Sequence, residues 1–328
     1  MTSLSGHIYS ILEVNPNNFD EVALKLFRHQ AKNNKTYSQY IQALGVNPEK
    51  IDRITGIPFL PIEFFKSHSI KTGDFEPEIV FTSSGTTGMT TSKHPVARLS
   101  EYEAVFNSAF ESIYGPVRDY CVLALLPSYL ERSGSSLIYM AENFIQQSRD
   151  ADSGFFLRNH DELKEILFRK QESQTKTLLL GVTFALLDLA ELYPMNLSSI
   201  TIMETGGMKG RRKEMIREEV HQILKDAFHT NKIHSEYGMT ELMSQAYSTG
   251  GEVFRTPPWM RVLVRDTDDP LAVNTSGKGV LNIIDLANHH SCAFIATSDV
   301  GIVYTNHTFE VQGRMDHADI RGCNLMVM

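Results

Sequence analysis

A chain of 328 residues, 42% hydrophobic and 21% charged, has the composition of an ordinary soluble protein with one large domain or two small ones. Its formal net charge of −8, with no basic cluster, argues against a nucleic-acid partner. No run of about 18 apolar residues is present to span a membrane. Three cysteines at wide spacing exclude a disulfide framework, and no Cys/His spacing reads as a zinc site. The first residues, Met1 to Gly6, lack the basic and apolar regions of a signal peptide, so a reducing cytoplasm is expected.

In chain order, Asn18 precedes an apolar stripe of Phe19, Val22, Leu24, Leu26 and Phe27, which predicts a helix. A second helix is expected over Thr36–Leu44, closed by Gly45. Ile57-Pro58-Phe59-Leu60-Pro61 reads as an extended connector, with Phe64 and Phe65 as core anchors. Ile79-Val80-Phe81 is a short strand and His94-Pro95-Val96 another extended piece. Ser100 and Glu103 have capping-box spacing for a helix that stops at Gly115-Pro116. Tyr120–Leu126 and Lys176–Val182 are apolar without alternation, as in strands buried on both faces. Two further strands are expected at Ser199–Met203 and Lys232–Ser235. Helices are expected at Ser135–Ser148, Asp161–Glu172, Phe184–Tyr193 with Thr183 as its cap, and Gly210–His229.

Strands alternating with helices give βαβ units and a mostly parallel sheet, whose ligands sit beyond the carboxyl ends of the strands. That rule places Glu204-Thr205-Gly206-Gly207 directly after the third buried strand and Glu236-Tyr237-Gly238 directly after the fourth. After Thr249-Gly250-Gly251 the texture changes. Met260–Val264, Val280–Leu286, Ala293–Thr297 and Ile302–Thr305 read as a smaller antiparallel subdomain. The expected division is therefore 1–250 and 251–328.

Between the two short strands near residues 80 and 95 lies a loop of hydroxyls and glycines. Thr82, Ser83, Ser84, Gly85, Thr86, Thr87 and Gly88 can turn backbone N–H groups and hydroxyls towards one point, which suits a polyphosphate. No Gly-Lys-Ser/Thr closes it, so it is not a Walker A loop. The same composition also fits a flexible surface loop. Gly206-Gly207 lets the backbone approach a flat ring, and equally fits a plain strand-to-helix turn. Thr240-Glu241 also fits the first turn of a helix. Lys93 reads as an exposed lysine near the loop.

Taken in order, the hydroxyl loop, His234-Ser235-Glu236-Tyr237-Gly238-Met239-Thr240-Glu241, Ala296-Thr297-Ser298-Asp299-Val300-Gly301 and Gly313-Arg314-Met315-Asp316 resemble the motifs of adenylate-forming enzymes, the acyl-CoA synthetase and luciferase superfamily. The resemblance runs from about Pro61 to the C-terminus. More narrowly, the chain resembles the acyl-protein synthetases, the fatty-acid-activating component of bacterial bioluminescence reductase systems. Leu126-Pro127-Ser128-Tyr129-Leu130-Glu131-Arg132, Asn282-Ile283-Ile284-Asp285-Leu286-Ala287-Asn288 and Arg321-Gly322-Cys323 carry that narrower match. Phenylacetate-CoA ligases are the nearest other family it resembles.

The resemblance implies an α/β fold, the N-terminal domain of an adenylate-forming enzyme: mostly parallel sheets flanked by helices, with a small antiparallel β subdomain. No lysine follows Arg314, so the mobile C-terminal domain of the full ligases is expected to be absent. ATP and Mg²⁺ are the implied cofactors. By the same resemblance the hydroxyl loop holds phosphates, Gly206-Gly207 lies against adenine, and Tyr237 stacks on it with room made by Gly238. Thr240 meets the α-phosphate and Glu241 binds Mg²⁺. Asp299 holds the ribose hydroxyls, where Ser298 stands in place of the glycine of many relatives, and Arg314 reaches ribose and phosphate. Tyr129, Arg132 and Ser135 are acyl-pocket candidates. Cys323 accepts the acyl group as a thioester, its thiolate favoured by neighbouring Arg321. The implied function is ATP-dependent activation of a fatty acid and transfer to a thiol, with a reductase-like protein as onward partner. Coenzyme A as acceptor, or a non-catalytic nucleotide-binding protein, are the alternatives.

Overall fold

The computed structural model describes residues 11–83, 90–127, 134–157, 159–206 and 215–315. The chain forms two compact units: Met1–Asp74 with Pro258–Met328, and Phe75–Pro257. The first unit opens with helices α1 (Phe19–Asn33) and α2 (Lys35–Ala43). Phe19, Ala23, Phe27, Gln30 and Ala31 line the buried face of α1. Asn18 occupies the cap position of α1, but its Oδ1 accepts from Asn15 N–H and caps no helix amide. Asn34 separates the helices and caps the second, its Oδ1 accepting from Tyr37 N–H at 3.0 Å. Gly45, at φ +67°, ends that helix as expected. Strand β1 (Leu60–Pro61) and the short helix α3 (Phe64–Ser67) follow, with Phe65 fully buried and Phe64 only partly so.

The second unit begins with an antiparallel pair, β2 (Ile79–Thr82) and β3 (Lys93–Val96). Helix α4 (Leu99–Tyr114) starts one residue before Ser100, and the expected capping box does not form. Glu78 is the reason: its Oε2 accepts the Leu99 N–H at 2.7 Å and so already satisfies an orphan donor of the first turn. A six-stranded sheet follows, built from β4 (Cys121–Leu125), β5 (Gly154–Phe155), β6 (Thr177–Val182), β7 (Thr201–Thr205), β8 (His234–Tyr237) and β9 (Ala246–Ser248). Its order is β5-β4-β6-β7-β8-β9, parallel except for β9. Every residue of β4 and β6 is buried, which accounts for their unbroken apolar runs. Helices α5 (Ser136–Gln147), α6 (His160–Glu172), α7 (Thr183–Leu192) and α8 (Arg217–Phe228) connect the strands. Thr183 is the first residue of α7 and not its cap; its single hydroxyl proton is shared between Glu204 Oε2 at 3.1 Å and the Gly206 carbonyl at 2.8 Å.

Both β7 and β8 run two residues beyond their expected ends. Glu204 and Glu236 are therefore strand residues, buried among hydrogen-bonding partners. A carboxylate ends an apolar run in the sequence, but it does not end a strand when the fold supplies partners for it.

The chain then returns to the first unit with β10 (Met260–Arg265), β11 (Val273–Asn274), β12 (Gly277–Asp285), β13 (Phe294–Val303) and β14 (Phe309–Arg314). The sheet order is β1-β13-β12-β10-β11, with β14 on β13, antiparallel except for β1 against β13. The two strands expected at Ala293–Thr297 and Ile302–Thr305 are one ten-residue strand that continues through Asp299. The division at residue 250 also needs correction. Gln30 of α1 is fully buried; its Nε2 donates to the carbonyls of Asn288 and Ser291, and its Oε1 accepts the Ala293 N–H. A buried amide requires such partners, and here they come from the C-terminal sheet, so the opening helices belong with that sheet. Among the described residues no helix is long and apolar enough to cross a membrane.

Candidate active site

In the second unit, the stem of the hydroxyl loop is an ordered hairpin. Ser83 N–H donates to the Ser92 carbonyl at 3.1 Å, and Ser83 Oγ accepts from Ser92 N–H at 2.9 Å. Thr82 N–H donates to the Gly134 carbonyl at 2.8 Å. Gly134 has φ +87°, and a Cβ there would lie 3.2 Å from Thr82 Oγ1, so glycine permits the approach. Ser84, Gly85, Thr86, Thr87 and Gly88 lie outside the described residues, as do Gly207, Tyr129, Arg132 and Cys323. Ser135 caps α5, accepting from Ile138 N–H at 3.3 Å, and Lys93 is exposed.

The next strand residue, His94, is 1% exposed, and its Nδ1 donates to the Thr240 carbonyl at 2.7 Å. That bond fixes the Nδ1–H tautomer, because a carbonyl only accepts. It ties the stem of the hydroxyl loop to the turn that carries Thr240 and the buried Glu241. Nothing in the sequence marked His94; a histidine inside a short strand beside a proline reads as a core residue.

Gly206, at φ +73°, ends β7 at the carboxyl edge of the parallel sheet. Tyr237 ends β8 and is largely buried, its ring 5.8 Å from that of Phe254. The Arg217 guanidinium lies 4.8 Å over the Phe254 ring. A side chain at Gly238 would overlap Glu236 Oε1, so the glycine makes room for a buried carboxyl group.

Behind these motifs lies a polar network that the sequence reading did not anticipate. Burial pushes the Glu204 carboxyl up, but the His221 hydrogen bond, the Arg217 charge and Ser235 outweigh it, and the net shift is down. Arg217 Nε donates to Glu204 Oε1 at 3.2 Å. Glu236 shows the opposite outcome. Burial raises its pKa from 4.5 to about 7; the Thr205 hydroxyl, which donates to Oε2, opposes the shift and the Glu204 charge adds to it. Glu204 is therefore favoured as the carboxylate, whereas Glu236 is only partly ionised near neutral pH. Both Glu236 states are protonated below pH 4.5, and stability falls as pH rises from there through the folded pKa near 7. Glu236→Gln is expected to remove up to about 3 kcal/mol of this dependence. Urea denaturation at pH 5, 6, 7 and 8 checks it, and identical slopes in both proteins would show that Glu236 is charged throughout.

In the first unit, Asp299 is 6% exposed and lies opposite Arg314 in the β13–β14 register. Arg314 Nε donates to Asp299 Oδ1 at 3.0 Å, while most of the arginine is exposed. Ser298 Oγ donates to Glu63 Oε1 at 3.2 Å, so this serine has a partner of its own.

The architecture is similar to that of ATP-bound MatB from Rhodopseudomonas palustris, with a TM-score of 0.54 and 14% identity over 72% of this chain and 47% of that one. It is also similar to the long-chain-fatty-acid-CoA ligase FadD1 from Archaeoglobus fulgidus, with a TM-score of 0.50 and 12% identity over 72% of this chain and 51% of that one. The chain thus spans about half the length of the solved structures it matches. The class these likenesses define is the N-terminal domain fold of adenylate-forming enzymes. In sequence the chain is 24% identical over 334 aligned residues to the long-chain-fatty-acid–luciferin-component ligase of Aliivibrio fischeri, covering 93% of this chain and 86% of the relative. The profile of the acyl-protein synthetase, LuxE, family matches residues 12–328, and the chain belongs to that family of ligases.

Proposed function

We propose that this ligase activates a long-chain fatty acid with ATP as an acyl adenylate and passes the acyl group to a thiol, its own Cys323 and then that of a partner protein, in the cytoplasm. The observation that carries the reading is the His94 bond between the hydroxyl-loop stem and the Thr240–Glu241 turn. It joins, within one unit, the donors assigned to the phosphates and the carboxylate assigned to the metal. A buried carboxylate oxygen on an anchored turn fits a hard cation that takes few protein ligands. Glu241 would hold Mg²⁺, which supplies charge neutralisation on the phosphates when bound.

The chain's own residues would orient the reactants. Thr82, Ser83 and the loop hydroxyls are assigned to the phosphates, and Thr240 to the α-phosphate. Gly206, Tyr237 and Gly238 are assigned to adenine, and Asp299 with Arg314 to ribose. A carboxylate oxygen of the acid attacks the α-phosphorus and pyrophosphate leaves, so catalysis consists of positioning and electrostatics. A thiolate then attacks the acyl carbon; the C–S bond forms and the C–O bond to AMP breaks. Cys121 and Cys292 are buried, and burial pushes both thiols up to about 12, which makes them poor nucleophiles and leaves Cys323 as the candidate in this chain.

Pyrophosphate–ATP exchange across a series of carboxylic acids tests the reading. Exchange is expected to depend on the acid and to be greatest with long chains. A folded protein that supports no exchange with any acid would overturn it.

A further inference from the structure

The strand that carries Asp299 is irregular at that point. β12 and β13 pair Val280 with Val300 and then Asn282 with Ala296, so Leu281 alone faces Thr297, Ser298 and Asp299. Two extra residues on one strand make a pronounced bulge, the kind of feature that re-aims a side chain. A bulge also strips ladder bonds from the backbone opposite it, and buried carbonyls must find other donors.

Arg265 supplies them from β10, reaching across β12. Its Nη1 donates to the Leu281 carbonyl at 3.1 Å and to Asn282 Oδ1 at 2.6 Å, and its Nη2 donates to the Thr297 carbonyl at 2.5 Å. Thr297 completes the arrangement. Its hydroxyl donates to the same Leu281 carbonyl at 2.8 Å and accepts the Asp299 N–H at 3.1 Å. The guanidinium thus holds both sides of the bulge, and one hydroxyl connects it to the Asp299 backbone. Arg265 is partly buried, Thr297 2% exposed and Asp299 6% exposed, so this is an interior arrangement. A planar fork with several fixed donors can bond three acceptors at once; a lysine ammonium on a flexible stem cannot reproduce that geometry.

We infer that Arg265, acting through Thr297, is a positioning residue for nucleotide recognition: it sets the bulge that presents the Asp299 carboxylate to a vicinal diol. The inference rests on the assignment of Asp299 to the ribose hydroxyls. Its consequence is specific. Loss of the clamp should erode the preference for a ribonucleotide over one lacking the diol, while contacts to base and phosphate persist.

The test is calorimetric binding of ATP and of 2′,3′-dideoxyATP to the full chain, with melting temperature as a control for folding. Asp299→Ala is expected to lower the ATP/dideoxyATP affinity ratio by about tenfold, the size of a lost hydrogen bond to a charged group. Arg265→Met and Thr297→Val are each expected to lower that ratio by about fivefold or more, with dideoxyATP affinity nearly unchanged. Arg265→Lys should resemble Arg265→Met. General loosening of the unit would weaken both nucleotides alike and leave the ratio intact. If Asp299→Ala reduces the ratio while folded Arg265→Met and Thr297→Val keep it, the clamp is overturned and the ribose assignment stands. If Asp299→Ala keeps the ratio, the assignment falls and the clamp with it. Should Arg265→Met fail to fold, Thr297→Val decides, because valine preserves the shape of threonine and removes only the hydroxyl.

Discussion

Glu241→Gln is expected to lower pyrophosphate exchange by a factor on the order of 100 or more, without a change in fold. The substitution keeps size and hydrogen-bonding capacity and removes one negative charge. Glu241 is buried on a turn whose Thr240 carbonyl is anchored by His94, so the side chain is pre-positioned and the loss is electrostatic. The charge removed is the one assigned to hold Mg²⁺, and a buried carboxylate attracts a cation more strongly than one in open water does. Weaker dependence of exchange on Mg²⁺ concentration should accompany the loss. Unchanged exchange in a folded Glu241→Gln protein would remove Glu241 from metal binding.

Cys323→Ser is expected to separate the two half-reactions. None of the groups assigned to adenylation is a thiol, so exchange should persist. Hydroxylamine-sensitive acyl labelling of the protein, the mark of a thioester, should vanish. Cys121→Ser serves as the control: that thiol is buried in β4 and held protonated, and its loss should leave the label in place. Label persisting on the Cys323→Ser protein would exclude self-acylation at this position and direct the search to a diffusible or partner thiol.

The parallel sheet was legible because β4 and β6 bury both faces and so leave unbroken apolar runs. Thr240–Glu241 was singled out by the resemblance alone; the helix start that its sequence also fitted is a turn in the structure. Three features were not legible. Glu204 and Glu236 ended the apparent strands early, since a sequence cannot say whether a carboxylate has Thr183, Arg217 or Thr205 waiting for it. The bulge at Thr297–Asp299 read as a gap between two strands, because polar residues in β13 are accommodated by Arg265, thirty-odd residues earlier in the chain. The capping box at Ser100 had the right spacing, yet Glu78 had already taken the first-turn amide. In each case the deciding partner is distant in sequence, and local pattern carries no information about it.

The pairing of β1 with β13 has a consequence for how the protein is made. Leu60 meets Ile295 in that register, and Gln30 hydrogen-bonds to the turn at Asn288–Ser291. A ribosome adding about 5–20 residues per second delivers those partners some ten to fifty seconds after the opening helices emerge. The middle unit, Phe75–Pro257, is contiguous and can close first. During that interval Phe19, Phe27 and Tyr37, all fully buried in the finished protein, have no sheet to cover them. The nascent chain therefore carries an uncovered apolar helix face through most of its translation.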